Sequence, residues 1–151
     1  MVKFYDSYKA VFDAVKSALI YVPAEGETPA KGVESIKTVV LGEQFTYGEL
    51  PKAVINAEPS PIAPGEMGNL LDVSVGFSVI LVIQEYEPAD WFEDIIKVMG
   101  DVVDAILADR TLGGTLRDCF PVGFAPGEIK FQDKLLFGGI VRFRGVLWFE
   151  P

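Results

Sequence analysis

The side chains able to do chemistry in this chain are carboxylates and little else. No histidine occurs among its 151 residues. That removes the commonest general base, the imidazole partner of a serine or cysteine nucleophile, and a frequent metal ligand. Asp101 and Asp104 stand three apart, as do Asp90 and Glu93. On a helix this spacing puts both carboxyls on one face, where they can hold a cation or divide acid and base roles. The commoner use of such a pair is a solvated helix face, and no positioned partner is legible for either. Gly76-Phe77-Ser78 begins like a nucleophile elbow, but Ile80 stands where the second glycine belongs, in the middle of an apolar alternation. The chain has neither a Gly-x-x-x-x-Gly-Lys-Ser/Thr phosphate loop nor a Gly-x-Gly-x-x-Gly fingerprint. The single cysteine, Cys119, lies beside Phe120 and reads as a small buried hydrophobe. These absences point away from catalysis and from any cofactor or metal.

Charge is more informative. The net charge is −9, opposite to the basic surplus that phosphate binding uses. It is also unevenly placed. Between Glu85 and Asp109 there are eight acids against one base, Lys97. Between Ile129 and Pro151 there are four bases, Lys130, Lys134, Arg142 and Arg144, against two acids. Ordinary surface charge is the plain explanation. The sharper one is a self-complementary pair of patches, an acidic helix on one copy meeting a basic strand on the next.

These residues sit on elements that hydrophobic periodicity predicts. Phe4, Tyr8, Val11, Phe12, Val15 and Leu19 share one face of a helix spanning Val2 to Ile20, ended near Tyr21-Val22-Pro23. A polar loop follows, then a strand from Ile36 to Leu41, a turn from Gly42 to Leu50 and a short strand from Ala53 to Ala57. Pro59, Pro61 and Pro64 confine the next stretch to a loop, an extended arm or an edge strand. The clearest strand runs from Leu70 to Tyr86, with Val73, Val75, Phe77, Val79, Leu81 and Ile83 on one face and a bend expected at Gly76. A second helix spans Asp90 to Asp109. Its wide apolar stripe is Trp91, Phe92, Ile95, Ile96, Met99, Val102, Val103, Ile106 and Leu107. Pro88 and Asp90 suit its start and Gly113 its exit. Cys119–Phe124 and Glu128–Phe131 read as two further strands. Leu135–Phe149 closes the chain, with Val141, Phe143, Leu147 and Phe149 on one face and Arg142 and Arg144 on the other.

The order predicts an α+β fold: one domain over residues 1–151, with a largely antiparallel mixed sheet packed against two amphipathic helices. No run approaches the length of a membrane span, and no signal-peptide pattern opens the chain, so an intracellular protein, or part of a particle assembled inside a cell, is expected.

A long amphipathic helix ending Leu107-Ala108-Asp109-Arg110-Thr111-Leu112-Gly113-Gly114-Thr115 and leading into a strand resembles the tail terminator, or tail-completion, proteins of long-tailed phages and proviruses. The chain length, the opening helix and the proline-bearing strand ahead of the long strand and helix agree in outline. A local explanation also serves, because Gly113-Gly114 after a helix is a good stop. The resemblance implies a virion structural protein of the tail or neck, assembled in the host cytoplasm. It would form a ring, usually a hexamer, that caps the tail tube and joins it to the head–neck connector, with viral DNA only passing through the lumen. It implies no cofactor and no catalytic residue. On this view Arg142 and Arg144 are expected to meet Glu93, Asp94, Asp101 and Asp104 of a neighbouring copy. The alternatives are a head-closure or adaptor protein, a tail tube subunit, or, in another class, a small carboxylate-based enzyme or ligand-binding domain.

Overall fold

The computed structural model describes residues 3–42, 49–66, 68–84, 91–131 and 134–151. The elements are α1 (Phe4–Leu19), β1 (Thr38–Leu41), β2 (Lys52–Glu58), β3 (Ile62–Pro64), β4 (Leu71–Gln84), α2 (Trp91–Leu107), β5 (Asp118–Phe131) and β6 (Lys134–Phe149). Five strands lie in the order β1-β2-β4-β6-β5, with β3 also paired to β4. Among the described strands β1 and β2 run parallel, and the other pairings are antiparallel. The α+β class and its two-helix, mainly antiparallel architecture are those that the periodicity predicts.

Alternation decides what each face of the sheet does. On one face Ala53, Ile55, Val73, Val75, Phe77, Val79, Leu81, Val141, Phe143 and Leu147 are buried under the helices. α2 packs on β5 and β6, and α1 packs on β1, β2 and α2. The predicted face of α1 is the one buried: Val11, Val15 and Leu19 are fully enclosed, with Phe4, Tyr8 and Phe12 packed beside them. A relay of aromatic rings ties this helix to the sheet. Phe12 meets Phe77 edge-on at 6.4 Å between centroids, Phe77 stacks on Phe143 at 5.0 Å, and Phe4 meets Phe149 edge-on at 5.3 Å.

Several expectations need correction. The α2 stripe is narrower than its sequence: Ile95, Val98, Met99, Val102 and Ile106 are buried, while Phe92 and Ile96 on its flank remain exposed. Cys119–Phe124 and Glu128–Phe131 are not separate strands but parts of the continuous β5. Pro121 and Pro126 are tolerated because β5 is an edge strand, and a bulge at Val122 absorbs the irregularity. The β4–β6 ladder runs unbroken through Gly76 and shifts register at Ile83, while on the other side the β2–β4 ladder ends at the Glu58–Gly76 pair. β3 emerges within the proline-rich stretch. It continues along the same side of β4 as β2, after an interruption at Pro59-Ser60-Pro61. There the Ser60 hydroxyl replaces a ladder carbonyl, accepting from the Gly76 N–H at 3.1 Å, and it also lies 3.0 Å from the Tyr8 hydroxyl on α1. Tyr86, Pro88, Asp90 and most of the Gly42–Leu50 turn lie outside the described residues.

Candidate interaction surface

Among the described residues no helix packs on the second face of the sheet, and its side chains follow from the register. Three rows cross it. Val54, Ile80 and Ile140 form the first; Asn56, Ser78 and Arg142 the second; Glu58, Gly76, Arg144 and, on β5, Phe120 the third. The β2–β4 end of this face is closed, since Lys52, Val54 and Val82 are buried. The centre is open, and forms a shallow cavity of about 470 Å³ lined by Asn56, Glu58, Ser78, Ile80, Ile140 and Arg142.

The two arginines behave differently there. Arg144 is already engaged, with its Nη1 donating to the carbonyl oxygens of Pro59 at 2.8 Å and Ser74 at 3.1 Å. Gly76 makes room for this, because a Cβ at that position would lie 2.8 Å from Arg144 Nη1. Arg144 therefore fastens the interrupted β2–β3 edge across β4. Among the described residues Arg142 makes one loose ion pair, its Nε 3.4 Å from Glu58 Oε1. That pair is diagonal across β4. Ser78 lies in the same cavity and is only 2% exposed. Its hydroxyl makes no hydrogen bond with the described residues.

Apolar side chains continue this surface towards the β5 edge. Phe120, opposite Arg144, and Trp148 are 41% and 45% exposed, whereas the exposed Phe124 lies opposite Val141 and so belongs to the helix-bearing face. The Arg117 guanidinium covers the Trp148 ring at 4.3 Å. A second open cavity, about 600 Å³, lies where Ser7 and Ala10 of α1 approach Thr115, Arg117 and Trp148.

The predicted acidic partners are on the other side of the molecule. Glu93, Asp94 and Asp104 are exposed on α2 and Asp101 is half-buried, with exposed Phe92 and Ile96 on the same helix. Within one chain the structure does not bring these acids to Arg142 or Arg144, so their pairing requires a second copy. The side chains of Lys130 and Lys134 are outside the described set. For the catalytic alternatives, Ser78 stands mid-strand in an unbroken ladder rather than on an elbow. Among the described residues no group of three or more histidine, cysteine or acidic side chains is placed to hold a metal ion. Burial, followed by the nearby charge of Asp118, pushes the Cys119 thiol up to about 11, so it is poorly suited to act as a nucleophile.

The Asp109–Thr115 stretch is a built turn rather than a simple helix stop. α2 ends at Leu107, so Gly113 does not cap it directly. Leu112, Gly113 and Gly114 take left-handed φ values of 46°, 69° and 85° in succession. Asp109 organises them. Its Oδ1 accepts from the Thr111 N–H at 3.1 Å and from the Thr111 hydroxyl at 2.8 Å, and its Oδ2 accepts from the Gly113 N–H at 2.8 Å. Those bonds, the Gly113 N–H foremost and then the Thr111 hydroxyl, hold its carboxyl below the usual carboxylate range. Arg110 grips Asp118 at the start of β5 through two bonds, at 2.7 and 2.8 Å. Leu112, buried beneath the turn, anchors it to the core. The motif thus sets the geometry by which α2 hands over to β5.

Sequence reasoning missed Glu58 and Asn56 and weighed Ser78 only as an elbow serine, because their meeting with Arg142 depends on strand register. It named Asp109 in the Leu107–Thr115 motif but not its organising role, which an Asp-x-Thr turn signature could have revealed. Compared with known proteins, the chain matches no family model and no curated protein sequence. Among the described residues no helix is long and apolar enough to cross a membrane.

Proposed function

We propose that this chain is a ring-forming structural subunit of a virus tail or neck, of the tail-terminator kind, capping the tail tube and meeting the head–neck connector. The observation that carries the assembly reading is the uncovered sheet face. Its polar, arginine-bearing centre and exposed Phe120 and Trp148 complement the acidic α2 surface with Phe92 and Ile96. The two surfaces lie on opposite sides of the molecule, which favours a head-to-tail contact between copies, the kind that closes into a ring where the rotation from copy to copy completes a circle. An acidic protein also suits a lumen through which DNA passes, since like charge keeps the polymer off the wall. The specific place in a tail rests on the resemblance of the Leu107–Thr115 stretch and the element order.

Light scattering coupled to size exclusion tests this directly. The expected mass is roughly six times the 16.5 kDa of the chain, with closed rings in negative-stain micrographs. Reversing Arg142 and Arg144 to glutamate together should return the protein to monomers, with circular dichroism verifying that the fold survives. Long tubes formed by the pure protein would instead identify a tube subunit. A chain that stays monomeric at millimolar concentration would end the ring proposal.

A further inference from the structure

The cavity at the centre of the open face is half-occupied by the chain's own carboxylate. Arg110 with Asp118 shows a full guanidinium–carboxylate pair in this protein, with two bonds at 2.7 and 2.8 Å. Arg142 with Glu58 is different, with one approach at 3.4 Å and side chains 49% and 30% exposed. A guanidinium has five N–H donors in a planar fork, so this contact leaves most of Arg142's donors open to a second carboxylate. The Ser78 hydroxyl lies in the same cavity, 2% exposed and with no hydrogen bond to the described residues. A buried hydroxyl without a partner costs stability unless something satisfies it, so its presence marks a position where a partner arrives from outside. Asn56 adds a carboxamide beside it, and Ile80 and Ile140 form the apolar wall.

We infer that this cavity is a receptor for an acidic side chain from α2 of a second copy, and that Glu58 is an internal competitor that holds Arg142 until that copy displaces it. The inference rests on the ring reading and adds a regulatory contact to it. The occupant follows from charge complementarity. α2 carries Glu93, Asp94, Asp101 and Asp104 against Lys97 alone, while the cavity offers guanidinium, hydroxyl and carboxamide donors. In the free subunit the Glu58 charge neutralises Arg142 and repels a stray acid. In the assembled state Arg142 turns to the neighbour with better geometry, and Ser78 gains its missing bond. Assembly is thereby kept weak until several contacts form together, as suits a ring that should close on its proper support.

Sedimentation velocity over a concentration series reads the inference out. Glu58→Gln, which keeps the shape and removes the charge, should lower the concentration for half-assembly by about five-fold, the scale of a half-exposed ion pair. Arg142→Gln should raise it, and in the Glu58→Gln, Arg142→Gln double variant the gain from Glu58→Gln should vanish. Ser78→Ala supplies a separate readout. It should weaken assembly roughly three- to ten-fold, the loss of one hydrogen bond, while leaving the melting temperature of the dissociated subunit equal or higher. If wild-type rings form and Glu58→Gln weakens them or leaves them unchanged, the competitor role is wrong although the ring stands. If Ser78→Ala lowers the subunit's melting temperature and spares assembly, its hydroxyl is structural and the receptor is wrong. If no variant assembles at any concentration, both the inference and the ring reading fall.

Discussion

Gly76→Ala is the substitution whose sign best tests the description of the open face. A glycine inside a strand is ordinarily a weakness, so replacing it with alanine is expected to stabilise by about 0.5–1 kcal/mol. The backbone at Gly76 lies outside the left-handed region, so no conformational objection opposes the change. Space does. An alanine Cβ would lie 2.8 Å from Arg144 Nη1, 2.9 Å from Glu58 Cβ and 2.9 Å from the Pro59 carbonyl oxygen. Arg144 can swing away, but only by giving up its bonds to Pro59 and Ser74. Glu58 and Pro59 belong to the neighbouring strand and its exit, so relieving those contacts means separating β2 from β4 where the Ser60 hydroxyl takes the Gly76 N–H.

Overpacking of this kind costs about 1–3 kcal/mol. Set against the ordinary gain, the net expectation is a loss of about 1–2 kcal/mol. For a chain of this length each kcal/mol moves the melting temperature by about 2–4 °C. Urea denaturation at one fixed protein concentration is the assay, because self-association would otherwise contribute to the midpoint. An unchanged slope with a lowered midpoint is the expected pattern. A Gly76→Ala protein as stable as the parent, or more so, would show that Arg144 and the β2 exit are not packed over Gly76 as described.

Two further predictions concern the junction between α2 and β5. Asp109→Asn should destabilise the fold at neutral pH. A carboxyl held below its ordinary range stabilises the folded chain above the unfolded value and loses that contribution as pH falls through the folded one, so wild type and variant should converge in acid denaturation below about pH 4. Parallel curves across the whole pH range would count against the Asp109 hydrogen bonds. Cys119 is fully buried and its thiol is raised to about 11, so iodoacetamide at pH 8 should label it only at the rate of opening, and quickly in urea. Rapid labelling without denaturant, followed by mass spectrometry, would contradict that burial.

How far the sequence anticipates the structure depends on the range of the forces involved. α1, α2, β4 and β6 are legible because each has an apolar period of its own, and that period survives folding. β5 reads as two strands because Pro121, Gly123, Pro126 and Gly127 are local interruptions, whereas an edge position makes them tolerable, and edge position is a property of the whole sheet. β3 hides among prolines for the same reason. The exposure of Phe92 and Ile96 is a matter of how wide a strip α2 lays on β5 and β6, which the helical period does not contain. At the candidate surface, alternation placed Arg142 and Arg144 on the polar face but said nothing of which residues cross β4 to meet them. Glu58 lies 84 residues before Arg142 along the chain, and only the register of two ladders brings them together.

The distribution of charge over this fold bears on what kind of assembly it permits. Two copies meeting through the same surface would set one acidic α2 against another, or one arginine-bearing face against another, and like charges facing each other at a contact are costly. Unlike surfaces attract, so the proposed contact is head-to-tail and leaves each subunit one of each surface to offer onward. Such a contact either closes or grows without limit. The exposed edge works against endless growth. β5 is a fourteen-residue edge strand, but its prolines lack ladder donors and the Val122 bulge twists the edge, devices that spoil indefinite strand-on-strand addition. The opposite edge, β1, offers only four residues. The proposed ring thus makes its contact between unlike faces, while the β5 edge resists strand-on-strand addition into an extended sheet.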